Sequence, residues 1–254
     1  MSNAETLRGK PVLHGFWSVT AQSGVVDAAA DAGPDFIVVD TQHGVDLAQV
    51  DVSLFSLMAG YGVPGLVRVE SIDLGRIGRA LDFGAAGIVV PLVDTAEDAA
   101  RAVQATRYAP RGGRSYGMQT RRVGPFEEDP FVVIQVETAN AIDEIDSIAA
   151  VDGVDALYIG PADLGLGLGG KPASDVDAVF DGTHGNAESL ARAFRAVVDA
   201  ADANGIFPGL HTANGESSAR AVEEGFRMTS VTSDLGLIGS GVRQHLAAAR
   251  NGGD

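Results

Sequence analysis

Phe131-Val-Val-Ile-Gln-Val-Glu137 and, one helical unit later, Ala156-Leu-Tyr-Ile-Gly-Pro-Ala-Asp163 decide how this chain is read. Each is a short apolar run that stops at polar residues. Near-continuous runs of this kind mark parallel strands covered on both faces. Working outwards, the same pattern recurs at Leu13–Val19, Phe36–Asp40, Gly65–Val69, Gly87–Val93, Phe207–Leu210 and Arg227–Val231, which makes eight strands. Helical patterns separate them. Leu47, Val50, Leu54, Leu57 and Met58 fall on one helical face, and Thr95 stands as an N-cap before Glu97 and Asp98, opening a helix through Thr106. The helix carrying Ala219, Ala221 and Val222 stops at Gly225.

Eight strand–helix units in 254 residues predict an α/β chain folded as one (β/α)8 TIM barrel, a single domain over residues 1–254. A doubly wound open sheet is the alternative, but no Gly-x-Gly-x-x-Gly follows an early strand. Gly165-Leu-Gly-Leu-Gly-Gly170 runs into Lys171-Pro172 rather than a helix and reads as a flexible loop. Residues 1–8 are expected to be a flexible or tag-derived N-terminus. The polar segments Arg111–Pro130 and Lys171–Asn186 read as rims of a site or as subunit contacts.

Composition narrows the function. A net charge of −16 argues against nucleic acid, which needs a cationic footprint. No apolar run reaches membrane-spanning length and no leader is evident, so a soluble, cytoplasmic protein is expected. The absence of cysteine removes disulfides, zinc–thiolate sites and thiol nucleophiles together. Aspartate outnumbers glutamate about two to one, and Lys10 and Lys171 are the only lysines. A salt-rich cytoplasm and a GC-rich coding bias both account for that balance.

In a barrel of this kind, polar groups at the C-terminal strand ends are the functional candidates. Gln135 and Glu137 lie two apart on one strand and face the same way. Glu137 with Asp163 offers two hard oxygen ligands, a set suited to Mg²⁺ or Mn²⁺. A buried carboxylate held by arginine or backbone N–H groups is the structural alternative. Asp40 and His43 suggest an acid–base pair, or else a capped strand-to-helix turn. Arg68 is a fixed cation for an enolate or keto oxygen, or an ion-pair partner of Asp40, Asp82 or Glu137. Backbone amides of the turn through Ala162 and Asp163 could hold a carboxylate. Trp17 walls the mouth or fills the core, and Asp82 is a cap or an ion-pair partner. His211 lines the mouth, His14 is a core residue, and His184 and His245 are solvated.

Taken in order, Asp40-Thr-Gln-His43, Leu81-Asp-Phe-Gly-Ala-Ala86 with Val90-Pro-Leu92, Ala105-Thr-Arg-Tyr-Ala-Pro-Arg-Gly-Gly-Arg114, Gln135-Val-Glu-Thr138 and Val154-Asp-Ala-Leu-Tyr-Ile-Gly-Pro-Ala-Asp-Leu164 resemble the HpcH/HpaI aldolase family of class II pyruvate aldolases. The resemblance implies Glu137 and Asp163 as ligands of Mg²⁺ or Mn²⁺, with Co²⁺ a further option. It implies Arg68 on the pyruvate keto oxygen, His43 and Asp40 as the acid–base dyad, and Gln135 on the substrate. Ala162 with Asp163 would take the pyruvate carboxylate, and Asp82 would reach a neighbouring subunit's site. The implied assembly is a homohexamer, a trimer of dimers with the last helix exchanged between partners. Gln42 departs from the family pattern, which has glutamate there.

The expected reaction is reversible cleavage of a 4-hydroxy-2-oxo acid to pyruvate, or a pyruvate-like oxo acid, plus an aldehyde, through a metal-stabilised enolate. A lyase of a CoA-linked substrate or a decarboxylating oxo-acid enzyme is the alternative; Arg111, Arg114, Arg121 and Arg122 would line a nucleotide path. A Schiff-base aldolase needs a lysine in the mouth, and only Lys171 could serve. A non-catalytic oxo-acid sensor is the reading outside enzymology.

Overall fold

The eight apolar runs become β1 (Leu13–Ser18), β2 (Phe36–Asp40), β3 (Gly65–Arg68), β4 (Gly87–Val90), β5 (Phe131–Val136), β6 (Ala156–Ile159), β7 (Phe207–Leu210) and β8 (Met228–Ser233). In the computed structural model, which describes residues 3–117 and 129–251, they pair in chain order, all parallel, and β8 closes on β1. This is the expected (β/α)8 barrel.

Alternation along the strands divides the core in two. One buried cluster joins Leu13, Trp17, Phe36, Val38, Phe131 and Tyr158 and fills the barrel. A larger one, with Ile37, Val39, Val67, Ile88 and Ile134, lies between the strands and the helices. The interior is tight enough to dictate sequence: a Cβ on Gly15 would run into the Phe36 ring.

Helix signals operate where the sequence placed them. The Thr95 hydroxyl accepts the Asp98 N–H at 3.1 Å at the start of the helix Ala96–Thr106. Gly225, at φ 99°, follows the helix Gly215–Glu223 in the left-handed region.

Four expectations are corrected. Of the segment 1–8, the described residues are not a loose tail: Asn3–Arg8 is a helix whose Leu7 is fully buried in the interior cluster. Arg8 pins it by donating to Asp155 at 2.6 Å and to the Pro130 carbonyl at 3.1 Å, which closes the N-terminal end of the barrel. The glycine run is not simply a loop, because the helix Pro161–Gly167 includes its first half. Gly165 is buried there so close to the Lys171 carbonyl that no Cβ would fit. The face from Leu47 to Met58 belongs to two elements, a 3-10 turn Leu47–Gln49 and a helix Ser53–Gly60. The Asp51 carboxylate takes the Ser53 N–H at 2.9 Å and restarts the chain there. The run Gly87–Val93 leaves the sheet after Val90, and Leu92 adopts φ 53°.

The C-terminal helix Asp234–Asn251 is tied to β1 through Asp234. That carboxylate accepts from Val19 N at 3.0 Å, from Thr20 N at 2.9 Å and from the Ser18 hydroxyl at 3.2 Å. Leu235, Leu237, Ile238, Val242 and Leu246 along the same helix are exposed. No helix among the described residues is long and apolar enough to cross a membrane.

Candidate active site

Above the apolar interior, the C-terminal strand ends carry a polar layer. Asp40 closes β2 and Arg68 closes β3, and the parallel register sets them side by side. Arg68 donates from Nε to Asp40 Oδ1 at 2.9 Å and from Nη2 to Oδ2 at 2.5 Å, a bidentate pair with both residues buried. The guanidinium also lies 5.1 Å from the Trp17 ring centroid, and the indole N–H donates to Asp40 Oδ2 at 3.3 Å. Burial by itself would raise the Asp40 pKa. The hydrogen bonds and charge of Arg68, with help from the His43 N–H and Trp17, hold it below the usual range instead.

Asp40 meets His43 through the backbone. Oδ1 accepts the N–H groups of Gln42 at 3.0 Å and of His43 at 3.2 Å, which shapes the turn after β2 and leaves the His43 ring exposed. Gly44 completes that turn, since a Cβ there would strike the Val19 and Asp40 carbonyl oxygens. The carboxylate thus orients Arg68 and the turn, while the imidazole is carried out into the mouth.

Glu137 follows β5 and is 3% exposed. Its Oε2 accepts the Leu92 N–H at 3.1 Å, and no cationic side chain pairs with it among the described residues. Burial pushes its pKa up to about 7. The Leu92 N–H opposes that rise, the nearby Asp163 charge adds to it, and the Arg68 charge opposes it again. Asp163 sits exposed in the first turn of the helix Pro161–Gly167. Gly160 leaves room for the Glu137 carboxylate, because a Cβ there would overlap Glu137 Oε1 and force the side chain to shift. A closed-in carboxylate facing a second acid, with space preserved by a glycine and no counter-cation, fits a hard dication. Gln135 Oε1, two residues earlier on the same face, is buried without a hydrogen-bond partner.

Two groups escape the sequence reading. Leu92 delivers its N–H to Glu137 from a left-handed backbone and leaves its side chain 54% exposed at the rim. Nothing in Val90-Pro-Leu92 signals this, because a left-handed residue is ordinarily glycine or asparagine. Tyr158, pleat-neighbour of Gln135, stacks on Trp17 at 5.9 Å with its hydroxyl buried and unpartnered. Its phase with Gly160, the residue just past β6, was the available signal.

The remaining candidates are placed as follows. Asp82 ends the helix Leu74–Asp82 and accepts from Arg114 at 2.7 Å. Ala162 is half-buried beside Asp163. His211 packs edge-on to Trp17 at the mouth, and His14 bonds Thr229 at 2.9 Å. His184 accepts the Asn186 N–H at 3.2 Å. Lys10 pairs with Asp35 at the opposite end of the barrel, and Lys171 is exposed beyond the helix Pro161–Gly167. Neither is a buried mouth lysine. Arg111 is held by Asp129 at 2.7 Å and Arg114 by Asp82, whereas Arg121 and Arg122 lie outside the described residues.

A closed parallel barrel with an arginine and an acid pair at the C-terminal mouth has the layout of a β/α-barrel enzyme. The chain belongs to the HpcH/HpaI aldolase/citrate lyase family, whose profile matches residues 13–240. It is 38% identical over 195 residues to a 4-hydroxy-2-oxovalerate aldolase of Novosphingobium aromaticivorans, covering 73% of each chain. It is 32% identical over 250 residues to a hydroxypyruvate/pyruvate aldolase of Rhizorhabdus wittichii, covering 95% of each. Among solved structures, an HpcH/HpaI aldolase/citrate lyase family protein from Burkholderia cenocepacia J2315 superposes with a TM-score of 0.84 at 28% identity, over 97% of this chain and 98% of that one.

Proposed function

We propose that this enzyme reversibly cleaves a 4-hydroxy-2-oxo acid to pyruvate, or a pyruvate-like oxo acid, and an aldehyde, using a divalent metal held by Glu137 and Asp163. The observation that carries the reading is Glu137, a buried carboxylate beside a second acid with no cation to balance it among the described residues. Relatives named as aldolases of 4-hydroxy-2-oxovalerate, of hydroxypyruvate or pyruvate, and of 4-hydroxy-2-oxo-heptane-1,7-dioate support the substrate class.

The C3–C4 bond breaks and its electron pair stays on C3 as an enolate, which takes up a proton at C3 to become the oxo acid. The C4 hydroxyl proton departs, and C4 becomes the aldehyde carbonyl. A bound dication supplies Lewis acidity toward the oxo acid's oxygens. Arg68, fixed on both nitrogens by Asp40, sets a second positive charge against the oxo oxygen without needing to reorganise. Backbone amides of Ala162 and Asp163, at the start of their helix, receive the carboxylate, and Gln135 offers its amide from below. His43, exposed on its turn, accepts the C4 hydroxyl proton, a step worth about 10²–10⁴-fold. Trp17 and Tyr158 wall the floor against water. The same reading carries the homohexamer, and the exposed leucines of the C-terminal helix support an exchange with a partner.

The test is pyruvate in deuterated water with added Mn²⁺. An aldolase of this type exchanges the methyl protons, and EDTA stops the exchange reversibly. Exchange that persists in EDTA refutes the metal, and no exchange under any metal refutes the aldolase.

A further inference from the structure

His211 has a role that the reaction above does not assign. It follows β7 at the level of Trp17 and Arg68, half-buried, with ring centroids 4.9 Å from Trp17 and 6.3 Å from Tyr158. Its Nδ1 lies 3.2 Å from the Ser230 hydroxyl oxygen. That hydroxyl has one proton, and its shortest bond is to the Thr212 carbonyl at 2.7 Å, a group that can only accept. With its proton there, the Ser230 oxygen is left to accept, from the Thr212 N–H at 3.0 Å and from the imidazole when Nδ1 carries its hydrogen, with the Tyr158 hydroxyl as a further neighbour. Ser230 thus favours the tautomer in which Nδ1 carries the hydrogen and Nε2 is the acceptor. Burial and the Arg68 charge, against the pull of Asp40, push the imidazole pKa down to about 4, so the ring is neutral at physiological pH.

Nε2 has no hydrogen bond to protein among the described residues; three neighbouring donor groups are engaged elsewhere, and the Tyr158 hydroxyl, without a partner, does not bond it. The Trp17 N–H goes to Asp40, Arg68 gives Nε and Nη2 to Asp40, and Ser230 gives its proton to Thr212. The oxo and carboxylate oxygens of an oxo acid are acceptors and cannot satisfy another acceptor. A hydroxyl can. A methyl or methylene at the same place would leave Nε2 desolvated and unpaired.

We propose that His211 is a specificity-determining residue, its Nε2 accepting a hydrogen bond from a hydroxyl on one of the two reactants. The site then selects a hydroxylated oxo acid over pyruvate, or a hydroxylated aldehyde over its deoxy counterpart. The assignment rests on the aldolase reading above. One hydrogen bond of this kind is worth about tenfold in selectivity.

The experiment measures two kcat/KM ratios in the presence of Mn²⁺. One is hydroxypyruvate over pyruvate with a fixed aldehyde, and the other is glycolaldehyde over acetaldehyde with a fixed oxo acid. His211→Leu is expected to lower one ratio about tenfold, and the ratio that moves identifies which reactant carries the hydroxyl. His211→Gln, which keeps an acceptor, restores most of it. Ser230→Ala, which frees the tautomer, lowers the same ratio and serves in place of His211→Leu if that variant does not fold. Nitrogen-15 spectra of the wild type are expected to show the Nδ1–H form. Ratios that move less than twofold in every folded variant, or an Nε2–H form in the spectra, overturn the assignment. Wild type that exchanges pyruvate methyl protons while the ratios stay fixed loses only the His211 role; wild type without exchange loses the aldolase reading and this one with it.

Discussion

Replacing Glu137 by glutamine separates what this residue does for the fold from the metal binding proposed for it. In the metal-free protein the folded-state pKa is raised from 4.5 to about 7, first by burial and then by the Asp163 charge, against the Leu92 N–H and the Arg68 charge. The folded chain therefore holds this proton more tightly than the unfolded chain. Stability falls as pH rises from about 4.5 to about 7 and stays at the lower level above that. Integrated over that interval, ionised Glu137 costs roughly 3 kcal/mol at pH 8 and about 1 kcal/mol at pH 5. Glutamine keeps the shape and an oxygen for the Leu92 N–H but has no charge to bury. In EDTA, E137Q is expected to be more stable than wild type by about 3 kcal/mol at pH 8, roughly 6–12 °C in Tm, with most of that gain gone at pH 5. Excess Mn²⁺ should reverse the order, since saturation at about 1,000 times Kd adds about 4.1 kcal/mol to wild type and nothing to the variant. The assay is denaturant and thermal unfolding of both proteins at pH 5 and pH 8, with EDTA and with Mn²⁺. A variant that is no more stable than wild type at pH 8, or one that keeps the Mn²⁺ shift, refutes the argument.

Gly160→Ala drives a methyl group into Glu137 Oε1 and should weaken Mn²⁺ binding by about tenfold or more, read by calorimetry, while circular dichroism stays that of the wild type. Asp40→Asn leaves Arg68 without its bidentate partner, so kcat/KM should fall at least 100-fold and stability by about 3 kcal/mol, checked by steady-state kinetics and urea unfolding. Asp234→Asn should cost about 2–3 kcal/mol at pH 7, since the carboxylate accepts from Val19, Thr20 and Ser18. Burial would raise the Asp234 pKa, but the Thr20 and Val19 hydrogen bonds lower it. Its stabilisation is therefore present above about pH 4 and lost as pH falls below that, and the gap between wild type and variant should close in acid unfolding.

The barrel was legible because its strands are buried on both faces, and that burial writes unbroken apolar runs ending in polar groups. Gln135, Glu137 and the Gly160–Asp163 turn were legible for the same reason, standing where those runs stop. The partner of Arg68 was legible only as one of three acids, Asp40, Asp82 or Glu137. Asp40 is 28 residues away in sequence and becomes its neighbour only through the register of β2 on β3. That pairing also explains why the expected Asp40–His43 contact goes to the backbone: both carboxylate oxygens are already engaged by the guanidinium. The bend at Leu92 was hidden because the strain is carried by a residue type that ordinarily avoids it. The N-terminal helix was missed because Leu7 and Ala4 reveal their burial only once a barrel floor exists to receive them.

The two ends of the barrel make the functional argument by contrast. At the N-terminal end, Asp155 accepts from Arg8 at 2.6 Å and from the Val132 N–H at 2.8 Å, and Asp35 pairs with Lys10 and takes the His14 N–H at 2.7 Å. Both of these acids have a cation and a backbone donor, as folding alone requires. At the C-terminal end, two buried carboxylates in one polar layer are driven apart. Asp40 is ionised and locked by Arg68, while Glu137 is pushed up to about 7 with a single N–H to hold it. The unpartnered oxygens of Gln42, Gln135 and Tyr158 belong to the same strand-end region. Folding gains nothing from leaving a buried acid unbalanced beside Asp163, and an Arg–Glu pair like the one at Asp40 would have removed the cost. Such an imbalance is expected where a ligand supplies the missing charge, so the divergence of Asp40 and Glu137 supports the proposed roles: one fixes a protein cation, the other would receive a foreign one.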